Sequence, residues 1–262
     1  MVVKNLKYIF SSLILNLKKE AKYKTSFIMQ IIAMTLNDLF FIVQWIIVFS
    51  IVDDIAGFGF NEVMLLWAVS AGGFGVAHFL FGGAWKIKDI VYEGRLDVYL
   101  TQPKNVLINV CCSSTDVSAL GDILYSFVVL FIIGAPWYWF LMIIPTMLVV
   151  GVMYTGMYVA YASLCFYVKG GNAVASFTES TVLKVGNYPP QIFSFAVKFI
   201  FLTIIPAIFF TFIPAQYIFL TPNFWWILAL VGVMFVWVWL AFVCFHAGLK
   251  RYNSGSLMGG RM

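Results

Sequence analysis

Few side chains in this 262-residue chain could do chemistry. The two histidines, His78 and His246, stand far apart and carry no H-E-x-x-H pattern for zinc, and there is no paired carboxylate at helical spacing inside the apolar runs and no G-x-S-x-G elbow. Both read as bundle residues rather than catalysts. The four cysteines, Cys111, Cys112, Cys165 and Cys244, have neither C-x-x-C spacing nor neighbouring histidines, so they read as free thiols. A phosphate loop needs G-x-x-x-x-G-K-[ST], and the clusters Gly72-Gly73-Phe74-Gly75 and Gly82-Gly83 lack that lysine-hydroxyl ending. The chain is therefore expected not to be an enzyme, and if ATP drives it, another chain binds the nucleotide. Asp38, in Leu36-Asn37-Asp38-Leu39, stands out because it lies inside an apolar run. An ionised Asp at mid-bilayer costs about 2.5–3.5 kcal/mol on insertion scales, so it must face protein or water. Two roles stay open: a cavity-lining contact for a polar substrate group, or a bundle residue held by an interhelical hydrogen bond or as a neutral carboxyl.

The elements that position these residues follow from composition. The chain is 63% hydrophobic, 19% aromatic and only 10% charged, with a mean hydropathy of +0.96. A soluble domain carries about 25% charged residues, so an all-α integral membrane protein is expected. A bilayer core takes about 20 apolar residues per crossing. Charge-poor runs at about 26–52, 61–84, 117–134, 139–168, 190–213 and 225–248 predict six crossings. Proline interrupts the fifth run at Pro206 and Pro214, and the stretch from there to Asn223 is expected to be re-entrant or interfacial on the outer side. Ahead of the spans, Leu6, Ile9, Phe10, Leu13, Ile14 and Leu17 recur with helical period among Lys4, Lys7, Asn16 and Lys18, which predicts an interfacial helix within 1–24 lying on anionic lipid. Its apolar stretch is too short for a cleavable signal.

Orientation follows from the basic residues. With a cytosolic N-terminus, the inner segments hold Lys4, Lys7, Lys18, Lys19, Lys22 and Lys24; Lys86, Lys88, Arg95 and Lys104; Lys169, Lys184 and Lys198; and Lys250, Arg251 and Arg261, which is every Lys and Arg in the chain. Both termini are then cytosolic and the outer loops keep Asp53, Asp54 and Glu62. Trp137, Trp139, Trp225 and Trp226 fall at the outer interface, where indoles prefer to sit. The net charge of +5 is thus a topology signal and not a nucleic-acid footprint. Small residues at i, i+4 spacing, Ala68 with Gly72, Ala71 with Gly75, and Gly156 with Ala160, fit a tight bundle or a dimer seam.

After the second span, residues 85–104 alternate charge with Ile87, Ile90, Val91, Leu96 and Leu100, predicting a short helix, a break at Gly94 and a second turn ended by Pro103. The pattern E-G-R-L-D-x-x-L-x-x-P from Glu93 to Pro103, together with the tail Gly248-Leu249-Lys250-Arg251-Tyr252-Asn253-Ser254-Gly255, resembles the ABC type-2 transporter permeases, in the bacterial branch of uncharacterised permease components. The prolines of Tyr188-Pro189-Pro190 and Ile204-Ile205-Pro206 also sit where that family has them, and the likeness runs over nearly the whole chain, read as one transmembrane domain, 1–262. The resemblance implies a multi-pass subunit of the inner membrane. It would pair with an identical or sister permease and with two cytosolic ATP-binding subunits that hold ATP and Mg. Export of a lipid, glycoconjugate, peptide or hydrophobic compound by alternating access is the implied activity. Glu93, Gly94, Arg95, Leu96, Asp97 and Leu100 would couple to the ATPase, with Leu96 and Leu100 expected to fill a groove in it. The competing class is a six-span channel or scaffold with no link to ATP.

Overall fold

A computed structural model describes residues 2–168 and 170–252 of the chain. It is 79% helical, and no strand occurs among the described residues. In chain order the helices are α1 (Val2–Glu20), α2 (Lys24–Phe49), α3 (Phe60–Phe81), α4 (Ile87–Tyr92), α5 (Leu96–Leu100), α6 (Val106–Cys111), α7 (Ala119–Ile132), α8 (Trp137–Ala162), α9 (Asn172–Val185), α10 (Phe195–Thr203), α11 (Ala207–Phe210), α12 (Phe212–Pro214) and α13 (Phe224–Leu249). A tight turn, Gly82–Lys86, joins α3 to α4, and a wide π turn, Ala215–Leu220, follows α12. Four helices are long and apolar enough to cross a membrane: Lys24–Phe49, Phe60–Tyr92, Trp137–Phe166 and Phe224–Leu249. They coincide with the first, second, fourth and sixth predicted runs.

Glycine contacts and buried side chains give the sense of each helix. Gly121 of α7 lies against Met34 and Thr35 of α2, and farther along Val129 shares a buried cluster with Ile42 and Trp45, so α2 and α7 run the same way. Helix α3 opposes them: the Ser126 hydroxyl donates to the Ala68 carbonyl at 2.7 Å, and Gly75 abuts Ala119 and Asp122. Helix α8 follows the sense of α3, with Gly72 against Met147, Gly73 against Val150, and Trp85 stacked on Tyr158 at 4.7 Å. Helix α13 follows α8, with Gly156 against Trp237 and Gly248 against Phe166. The small-residue faces therefore make seams inside this chain, with Gly72, Gly73 and Gly75 admitting α7 and α8 at van der Waals distance.

Because α8 and α13 run in the same sense, the chain between them has to return across the bundle, and it does so in pieces. Helix α9 climbs from Glu179, beside Trp85, to Tyr188, whose ring meets Trp45 at 5.6 Å. The chain then descends, so that the Ile204 carbonyl accepts the Tyr161 hydroxyl at 2.6 Å. It climbs again as Phe210 stacks on Tyr154 and Phe219 meets Trp139, at 4.3 and 5.3 Å. The expected single helix over 190–213 is thus replaced by short segments. Pro189, Pro190 and Pro206 explain the breaks, since proline lacks an amide donor and biases the preceding residue away from helix. Ser194 and Pro206 leave the helical region at ψ 161° and 46°. The stretch from Pro214 towards Asn223 forms the π turn, packed on Trp139 and Trp226. The third run, expected as a span over 117–134, is helical only from Ala119 to Ile132; at 1.5 Å per residue this is about 21 Å, short of a bilayer core of about 30 Å.

Candidate functional site

Two polar regions interrupt the apolar bundle. The first is the segment after α3. Helix α4 buries Ile87, Ile90 and Val91, the chain turns at Gly94 with φ +70°, and α5 buries Leu96 completely. These side chains join Leu107, Val110, Cys111 and Phe245 in one core cluster. The turn is glycine because a left-handed φ forces a Cβ against its own carbonyl oxygen. Outside, the Glu93 carboxylate bridges Gly94 to reach Arg95 Nε at 2.5 Å. Val98 and Leu100 are left exposed, 61% and 43%. Leu96, expected to fill a groove in a partner, has no exposed surface in this chain and pins the segment to the protein's own core. The break at Gly94 is found as expected.

The tail motif closes onto this segment. Tyr252 joins the same cluster, its hydroxyl about van der Waals distance from where a Gly94 Cβ would stand, and its ring meets Phe166. Burial, with Asp97 beside it, pushes the Tyr252 phenol up from its ordinary range. Arg251 lies over the Tyr167 ring at 4.7 Å. Asn253, Ser254, Gly255 and Arg261, like Lys169, lie outside the described residues. Helix α1 seals the other flank: the Tyr8 hydroxyl donates to Asn109 Oδ1, the Lys104 ammonium sits 3.4 Å over the Tyr8 ring, and the Asn16 amide donates to the Cys112 carbonyl at 3.1 Å. All four cysteines are free, as expected.

The second region is a cavity of about 450 Å³ between α2, α3, α7 and the end of α9. Asp38 and Asp122 line it, 6% and 4% exposed, near enough for their carboxyls to interact directly. The Asn37 amide reaches Asp38 Oδ1 at 3.4 Å. The Tyr125 hydroxyl, Asn187 Oδ1 and the Trp67 indole nitrogen are buried without a hydrogen-bond partner, and all three residues line the cavity. Asp38 thus faces the interior, as the desolvation argument requires. Asp122 was not singled out from the sequence; its signal was available as a second carboxylate inside an apolar run. Lys184, expected in an inner loop, borders the same cavity as Asp38, because α9 climbs beside the middle of α2.

A ring cluster connects the two regions. The Trp85 indole, at the start of the segment, donates to Glu179 Oε1 of α9 at 2.6 Å, and His78 Nε2 lies 3.5 Å from the same oxygen. Trp85 and His78 pack at 3.8 Å, and Phe74 on the other side of His78 lines the cavity. His78 is a bundle residue as expected, but one whose partner could not be read from spacing. His246 points its Nδ1 at the Phe242 carbonyl within its own helix, at 2.8 Å.

Four long apolar helices packed around a polar interior define a multi-pass membrane protein. The sequence profile described as ABC-2 family transporter protein matches residues 27–256, and the chain belongs to that family. It is a membrane component of an ABC-2 transporter, which implies ATP-binding partner subunits. Comparison with curated proteins and with solved structures finds no match.

Proposed function

We propose that this chain is one permease half of an ATP-driven exporter working by alternating access, moving a lipid, glycoconjugate, peptide or other hydrophobic compound. Two cytosolic subunits hydrolyse ATP with Mg, and an identical or sister permease completes the pathway. In this reading the chain crosses the membrane six times, the third time with the short α7 and its flanking residues and the fifth time in broken segments, with both termini and the Gly94 turn cytosolic. The observation that carries it is the form of the 87–100 segment. It is fixed inward by Leu96 and offers Glu93, Arg95, Asp97, Val98 and Leu100 outward, so a partner that displaces it moves α4, the Trp85 turn and α9 together. A stiff element buried on one side and bare on the other transmits force where a solvated loop would absorb it. Glu179 carries that displacement into the helix that walls the cavity.

The test is co-purification in mild detergent with the ATPase subunit, followed by ATP hydrolysis in the reconstituted complex. Val98→Asp with Leu100→Asp should leave the permease folded, release the ATPase and abolish coupled hydrolysis, because exposed apolar anchors at an interface typically cost about 2 kcal/mol or more when removed. Retention of both properties would exclude the segment as the coupling element and favour the channel or scaffold class. Cysteine labelling at position 95 in a Cys-free background, in sealed cells, tests the orientation; labelling from outside would overturn it.

A further inference from the structure

The cavity combines two features that seldom meet by accident in an apolar bundle. Its walls are aromatic, with Phe41 stacked on Trp67 at 4.7 Å and Phe74 and Tyr188 completing the lining. Its polar lining holds the carboxyls of Asp38 and Asp122, each more than nine-tenths buried, together with Asn187 Oδ1, the Tyr125 hydroxyl and the Trp67 indole N–H, which are buried without a hydrogen-bond partner. Among the described residues no lysine, arginine or histidine comes within ion-pair distance of either aspartate, and Lys184 lies exposed at the rim. A buried carboxylate that stays ionised is stabilised by a compensating positive charge, and aromatic faces attract cations by their quadrupoles. A bare metal ion fits poorly, since no group of three or more His, Cys, Asp or Glu that could hold one occurs among the described residues and hard cations take six or more oxygens.

We propose that this cavity recognises a lipophilic organic cation, with the positive centre held between Asp38 and Asp122 and the apolar body against Phe41, Trp67 and Phe74. This rests on the permease reading and specifies the substrate class for it. Asp38 and Asp122 provide the charge complement, Tyr125 and Asn187 supply further acceptor oxygens, and the ring walls replace the water that a cation loses on entry. A lipophilic anion of equal size is repelled by the two buried carboxyls.

The full-length chain, purified in an uncharged maltoside detergent, is tested by equilibrium dialysis with radiolabelled tetraphenylphosphonium, against tetraphenylborate, which has the same shape and the opposite charge. Saturable binding of the phosphonium with no displacement by the borate is expected. Asp38→Asn with Asp122→Asn should weaken it at least tenfold and Trp67→Leu several-fold. Equal binding of both ions to the native chain, or native affinity in the folded double variant, would overturn the proposal. If the double variant does not fold, the two-ion comparison on the native chain and Trp67→Leu still decide it. Binding is read without the ATPase, so loss of coupling in the Val98 and Leu100 variant leaves this result standing, and absence of binding leaves the coupling result standing.

Discussion

The segment around Gly94 and the cavity around Asp38 both set polar residues against an apolar bundle, yet they are completed differently. Around Gly94 the charged groups lie outside, the Glu93–Arg95 pair is exposed, and every large apolar residue below is packed, with Leu96 and Val110 showing no exposed surface. Around Asp38 the arrangement is inverted: carboxyls, a phenol and an amide are buried, and several make no hydrogen bond. Buried polar groups are satisfied in the great majority of cases, so a cluster of exceptions marks a place where something else supplies the partner. A surface finished from inside is suited to transmit force, and a cavity left unsatisfied is suited to receive a ligand.

The comparison predicts opposite responses to substitution. The largest effect is expected at Gly83, where a Cβ would stand 2.0 Å from the Val110 carbonyl oxygen; Gly83→Ala should abolish folded protein in size-exclusion chromatography, since backbone on both sides must move. Leu96→Ala should follow, at about 2–5 kcal/mol of stability for a fully buried leucine, read as an earlier thermal transition in detergent. Normal stability with a selective loss of ATPase binding would reverse the assignment of Leu96 to the internal side. Gly94→Ala should cost about 1–2 kcal/mol from its left-handed φ alone, because the space around it is open enough for a methyl group. Tyr125→Phe should change stability least, by under about 0.5 kcal/mol, since the hydroxyl it removes has no partner to leave unpaired. A drop as large as that of Leu96→Ala would mean the Tyr125 hydroxyl is bonded, and the contrast between the two regions would fail.

What could be read in advance divides along the same line. Hydropathy located α2, α3, α8 and α13, because a long uncharged run has few stable arrangements other than a helix in lipid. The Gly94 break and the inward orientation of Asp38 also followed from local arguments, a turn residue within a charged helix pattern and the cost of a carboxyl facing lipid. The broken path from α9 to the π turn did not, since Pro189, Pro190 and Pro206 announce breaks without saying which way the chain goes after each one. Lys184 was assigned to an inner loop because the basic-residue rule counts charges near span ends, and it cannot detect a helix that carries a lysine up beside a cavity.

The sequence by itself determined that the chain is a helical membrane protein, where its long apolar helices lie, and that 85–104 is an amphipathic element with a glycine hinge. These are properties of composition and period, set within a few turns of helix. Only the tertiary structure decided that Leu96 turns inward while Val98 and Leu100 do not, that the tail at Tyr252 closes on Gly94, that Glu179 meets Trp85, and that Asp38 finds Asp122. Each of these joins residues far apart in the chain, and which face of a helix meets which neighbour depends on the packing of all its seams at once, which no local pattern encodes.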